Sequence, residues 1–138
     1  MSLRSRSFAF FVLGILAAGP AHAGSLESAA VEAANEWLAL VDAGRFETSW
    51  ERSASLLRNA VSPSQWEESV TAARRLFGKF VSRQVLSAQL EKSLPGAPDG
   101  EYVVIQYRST FEKKQAAVET VTPMREDGAW KVAGYFIK

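Results

Sequence analysis

The period of the apolar residues changes at Gly78, and that change restricts the chain to folds in which a helical half precedes a strand-rich half. Before Gly78, apolar side chains recur every three to four residues. Val31, Ala34, Leu38 and Val41 make one stripe, with Trp37 beside it and Glu32 and Glu36 turned away. Ser25 is the expected N-cap of this first helix, and Gly44 the residue that stops it. Phe46, Trp50, Ala54 and Leu57 predict a second helix. Ser62-Pro63-Ser64-Gln65 reads as a capping box with proline at the first helical position, so a third helix should carry Trp66, Val70, Ala73 and Phe77 on one face and end at Gly78.

After Gly78 the residues become β-branched and aromatic. Strands are predicted over 79–90, 101–112, 115–125 and 129–137, separated by the loop from Leu94 to Gly100, by Lys113-Lys114 and by Asp127-Gly128. Asp-Gly between two such runs is the strongest hairpin signal in the chain. Short connections imply an antiparallel meander, so the fold class is α+β: three N-terminal helices packed on a four-stranded antiparallel sheet, a roll.

If Lys113-Lys114 and Asp127-Gly128 are two-residue turns, Arg108 lies opposite Glu119 and Glu119 opposite Phe136. The inner face then carries Gln106, Arg108, Glu119, Trp130 and Val132. The outer face carries Tyr107, Ser109, Thr120 and Tyr135. Arg83, on the first strand, falls opposite Ser109 on the simplest pairing, a register that the long Pro/Gly loop leaves open. Both faces hold many apolar residues and three helices cover one of them, so the second is expected to pack on another copy of the chain, with Tyr107, Thr120 and Tyr135 at the dimer face.

The N-terminus adds a compartment. Arg4 and Arg6, the apolar run from Phe8 to Ala18, the helix-breaking Gly19-Pro20 and the small-x-small Ala21-His22-Ala23 read as a secretory signal peptide, residues 1–23, cleaved before Gly24. The run is too short to span a bilayer, which takes about 20 residues. A periplasmic or secreted protein without a membrane anchor follows, with residues 24–138 as one domain. Removing 23 of 138 residues leaves 115, a common size for a single core.

Composition then excludes several chemistries. The chain has no cysteine, and its single histidine, His22, lies in the predicted leader. The mature protein therefore lacks both imidazole and thiol, which removes Ser-His-Asp triads, cysteine nucleophiles and His/Cys metal sites. No acidic cluster suggests a carboxylate metal site, and no cofactor motif is present. Without Arg4 and Arg6 the 16 basic residues become 14 against 15 acidic ones, a balance that argues against nucleic acid or anionic membrane as partner. The basic pair Arg74-Arg75 reads as solvated surface, and the serines between Ser49 and Ser64 as caps and surface.

Helices followed by an antiparallel sheet, with Trp130-Lys131-Val132 on the last strand, resemble the nuclear transport factor 2-like fold, also called the cystatin-like roll, in which helices and a curved sheet enclose a conical pocket. More closely, the stretch from Trp37 to Gly44, Ser49-Trp50, Gly100-Glu101-Tyr102-Val103-Val104, Glu119-Thr120-Val121 and the run from Asp127 to Tyr135 resemble a bacterial family of secreted proteins catalogued as domain of unknown function four thousand and nineteen. The resemblance implies a fold and no activity.

Within such a cone the candidate ligand-binding residues are Arg108, Glu119, Gln106 and Trp130, because a carboxylate beside a guanidinium can orient a polar ligand. The expected function is a non-enzymatic module that binds a small apolar molecule or a protein partner. One alternative is a proton-transfer enzyme of the isomerase or dehydratase type with Glu119 as base. The other is a structural or interaction protein with a filled core. The Trp37, Trp50, Trp66 and Trp130 rings could line an aromatic pocket, but each lies on an apolar stripe or core-facing strand position, so all four are expected in the core.

Overall fold

The computed structural model describes residues 21–138, so the predicted leader lies outside the described residues as far as residue 20. The described chain runs α1 (Ala21–Asp42), α2 (Phe46–Glu51), α3 (Ser55–Ala60), α4 (Pro63–Phe77), β1 (Phe80–Glu91), β2 (Tyr102–Phe111), β3 (Lys114–Glu126) and β4 (Ala129–Ile137). The sheet has four antiparallel strands in the order β1-β2-β3-β4, and the α+β class holds. No helix among the described residues is long and apolar enough to cross a membrane.

Two helix expectations are corrected. The first helix begins at Ala21, upstream of the expected cap Ser25, and the predicted second helix is two short ones. The break falls at Ala54, whose backbone is extended (φ −62°, ψ 153°) and whose N–H leaves the helix to bond the Val132 carbonyl on β4 at 2.8 Å. The side chain of Glu126 accepts from both the backbone N–H and the hydroxyl of Ser55, so the last hairpin caps α3 from outside. At α4 the capping box is present as predicted, with Ser62 accepting from the Gln65 N–H and the Gln65 side chain accepting from the Ser62 N–H.

The turns decide the register. Asp127 and Gly128 both have positive φ (52° and 78°), as a two-residue primed turn requires, and Glu126 pairs with Ala129 as expected. Between Thr122 and Pro123, however, a bulge shifts the pairing by one, so Glu119 faces Ile137 instead of Phe136. Proline at the bulge has no N–H to give a regular ladder. At the other hairpin the turn is Glu112-Lys113 and not the expected Lys113-Lys114, so Phe111 pairs with Lys114, and a further shift between Ser109 and Phe111 brings Tyr107, not Arg108, opposite Glu119. A slip of one residue exchanges the faces of a strand. The β2 side chains that look inward are therefore Val103, Ile105, Tyr107 and Ser109, all buried, whereas Gln106 and Arg108 are exposed on the outer face.

The core lies between that inner face and the helices. Ala34, Trp37, Leu38 and Val41 of α1 and Trp66 and Val70 of α4 meet Val103, Ile105, Tyr107, Val121 and Val132. Three of the four tryptophan N–H groups are satisfied inside the fold. Trp37 Nε1 donates to the Ser49 carbonyl and the Ser53 hydroxyl, Trp66 Nε1 to the Ser49 hydroxyl, and Trp50 Nε1 to the Val61 carbonyl. Ser49 and Ser53 are wholly buried, so these two serines organise the core and are not surface residues.

Candidate functional site

Two regions under the sheet hold the polar chemistry. The first is centred on Glu119, on β3, which is fully buried. Its Oε1 accepts from Arg83 Nε at 2.7 Å and Ser109 Oγ at 2.5 Å, and its Oε2 from the Tyr135 hydroxyl at 2.5 Å and Arg74 Nη2 at 3.4 Å. A second carboxylate, Asp42 at the end of α1, takes Arg83 in a two-point grip (2.9 and 3.2 Å) and Arg74 Nη1 at 2.9 Å. Two acids and two guanidinium groups thus form a closed quartet joining α1, α4, β1 and β3. Aromatic faces support it, with the Arg83 guanidinium 4.2 Å from the Phe80 ring centre and that of Arg74 4.9 Å from Phe111.

The electrostatics follow from burial and from these partners. Burial pulls the Arg83 guanidinium down, but the hydrogen bonds and charges of Asp42 and Glu119 outweigh it and hold the group above its ordinary value. Burial pushes the Tyr107 phenol up to about 12, with Arg83 opposing and Glu119 adding. Tyr135 is also raised, by burial and then by the Glu119 charge, against Arg74. A carboxylate offers roughly four acceptor positions. Four donors occupy those of Glu119, which leaves no oxygen lone pair to receive a substrate proton.

The residues expected to act together are thus separated. Glu119 does face the interior, but its guanidinium partners are Arg83 and Arg74; Arg108 and Gln106 lie on the opposite, exposed face. Arg83 sits opposite Ser109 as predicted, on the inner face and not the outer. Tyr107 and Tyr135 also turn inward, one bonding Asn35 Oδ1 at 2.8 Å and the other Glu119, so of the three expected dimer-face residues Thr120 alone lies on the outer side. Arg74 is not solvated surface. A signal for the missed members existed: Arg74 follows Trp66 and Val70 at strict i+4 spacing, and Asp42 follows Ala34 and Leu38 in the same way. Each continues an apolar stripe into the core.

The second region is a cleft of about 350 Å³ between α1, the end of α2 and the start of β4. Its apolar wall is Trp37, Leu40, Trp130 and Val132, and its charged margin is Glu36, Glu51, Arg52 and Lys131. Lys131 is 3.7 Å from Glu126; Arg52 has no carboxylate within ion-pair distance among the described residues. Trp130 is half-buried, and its indole N–H, itself covered from solvent, is the one of the four with no acceptor among the described residues. Trp130 lines this cleft, at the end of the interior away from the quartet and not beside Glu119. Among the described residues no group of three or more His, Cys, Asp or Glu side chains is arranged to hold a metal ion.

No curated protein and no solved structure matches this chain. Residues 33–135 match the model of a family described as protein of unknown function (DUF4019), and the chain belongs to that family.

Proposed function

We propose that this protein is an exported binding module, a roll of the nuclear transport factor 2-like kind, whose cleft beside Trp130 takes a compact apolar molecule bearing a hydrogen-bond acceptor. The observation that carries this reading is the contrast among the tryptophans: three indole N–H groups are engaged by the fold, and the fourth, on the residue that lines the cleft, has no acceptor among the described residues. A buried donor without a partner costs about 1–3 kcal/mol, which a ligand oxygen reaching it on a small movement of the ring would recover. Aromatic walls with charges confined to the margin suit a ligand that is greasy in the middle and polar at one end. Export rests on the leader-like residues 1–23. The proton-transfer alternative with Glu119 as base loses support, because that carboxylate is enclosed and saturated with donors.

The test uses 1-anilinonaphthalene-8-sulfonate, an aromatic body with acceptor oxygens, titrated into the folded protein and followed by its fluorescence. Saturable binding is expected. Ala129→Trp, which fills the mouth of the cleft from an exposed position, should abolish it, and Trp130→Phe should weaken it about three- to tenfold, the worth of one hydrogen bond. Binding that is equal in wild type and both variants would place the probe elsewhere and overturn the reading.

A further inference from the structure

The two edges of the sheet are finished differently. On β4 the Val132 carbonyl accepts from Ala54 of the helical half, and α1 and α3 both pack on that strand. Among the described residues, none of the positions 80–91 of β1 makes a backbone hydrogen bond beyond its pairing with β2. Edge strands are ordinarily blunted by proline, outward lysines, bulges or inward charges. β1 has two bulges and the inward Arg83 but neither proline nor lysine, and it exposes Val81 (58%), Val85 (39%) and Leu86 (53%).

The charges on this edge are arranged about its middle. Two bulges place Phe80/Val81 and Val85/Leu86 each against a single partner position on β2. When each bulged pair is counted as one position, Lys79 stands five positions before Val85/Leu86 and Glu91 stands five positions after it. Both charged residues are exposed, neither has an ion-pair partner among the described residues, and the even spacing gives them the same side of the strand. An antiparallel copy of β1, related by a two-fold axis through Val85/Leu86, therefore brings Lys79 of each copy against Glu91 of the other and stacks the exposed valine and leucine on their own counterparts.

We infer that β1 is the docking edge for a second copy of this chain, joining two sheets into one of eight strands. The contact uses the main-chain pairing by which extended segments add to a free edge. Its symmetry is that of an isologous dimer. An interface of one strand pair falls at the small end of the size range, so the association is weak and sensitive to salt.

Sedimentation of the mature protein at about 100 μM in low salt tests this, at a concentration suited to small interfaces. Wild type is expected as a dimer, and Lys79→Glu and Glu91→Lys each as a monomer with an unchanged circular dichroism spectrum. The double variant Lys79→Glu/Glu91→Lys should recover the dimer, because the swap restores both pairs. Leu86→Lys should abolish it in every background. A monomeric wild type would overturn the inference. So would single variants that dimerise like wild type, which would move the contact to the outer face around Thr120, or a double variant that stays monomeric.

Discussion

The interior beneath the sheet has two ends of opposite character. Around Glu119, two acids and two guanidinium groups consume one another, every carboxylate oxygen of Glu119 is engaged, and the side chain has no exposure. Around Trp130, the wall is aromatic and aliphatic, charges stay at the margin, and one indole N–H has no acceptor among the described residues. A cluster of buried charges attracts attention as a site, yet the Glu119 carboxylate at its centre is filled by donors of the fold, which marks it as part of the scaffold; Arg74 Nε, also buried, is the quartet's one atom without an acceptor among the described residues. The plainer end, with its binding capacity still unused, is where a ligand has something to gain.

The largest test of that division is Glu119→Gln. It keeps the shape but leaves two guanidinium groups facing one carboxylate, and breaking a buried ion network by one partner costs about 3–5 kcal/mol. Denaturant unfolding should show a loss of that size, while the affinity for the anilinonaphthalene probe stays at the wild-type value. A loss below about 1 kcal/mol, or weakened probe binding, would erase the distinction between the two ends.

A smaller effect is expected from acid at the Trp130 end. Hydrogen bonds from the Ser55 hydroxyl and, more weakly, its backbone N–H hold the Glu126 carboxyl below its ordinary value, against the opposing effect of burial. Because the native value is the lower one, the stabilisation is present above the unfolded value of about 4.3 and disappears as pH falls through the native one. Glu126→Gln should cost about 1 kcal/mol near neutrality, the worth of a helix cap, and flatten the acid limb of a stability profile. Superimposable acid limbs in the two proteins would remove Glu126 as their cause. The smallest effect belongs to Arg108→Ala. With the side chain on the exposed face and no carboxylate partner among the described residues, melting should shift by no more than about 0.5 kcal/mol equivalent, and probe binding should not change.

These contrasts also show what a reader of the chain can and cannot extract. The change of period at Gly78, the capping box at Ser62 and the Asp127-Gly128 turn are local signals, and each appears where expected. The inward direction of Glu119 and Trp130 was legible as well. Arg108 was misplaced because the β2–β3 turn falls at Glu112-Lys113, one residue before the expected pair, and a single-residue shift between Ser109 and Phe111 then inverts the face of β2; the bulge at Pro123 does the same to the end of β4 beyond a correctly placed turn. Nothing in the alternation of Val, Thr and Tyr distinguishes the two settings, since both faces carry apolar residues. Arg74 and Asp42 were hidden for another reason: charged residues at helix ends are ordinarily solvated, and recognising them as core required giving spacing more weight than polarity.

The irregularity beside Pro123 makes β4 a strand of two parities. Trp130 and Val132 look inward from even-numbered positions, and beyond the shift Tyr135 looks inward from an odd one. The strand can therefore serve an aromatic hollow with one half and a carboxylate with the other, which a regular ladder of the same length could not do. Deleting Ala133, the one residue of this stretch without a partner on β3, would make the ladder regular and still leave Tyr135 opposite Val121 with its hydroxyl toward Glu119, so the bulge could be lost without moving either half of the strand to the other face.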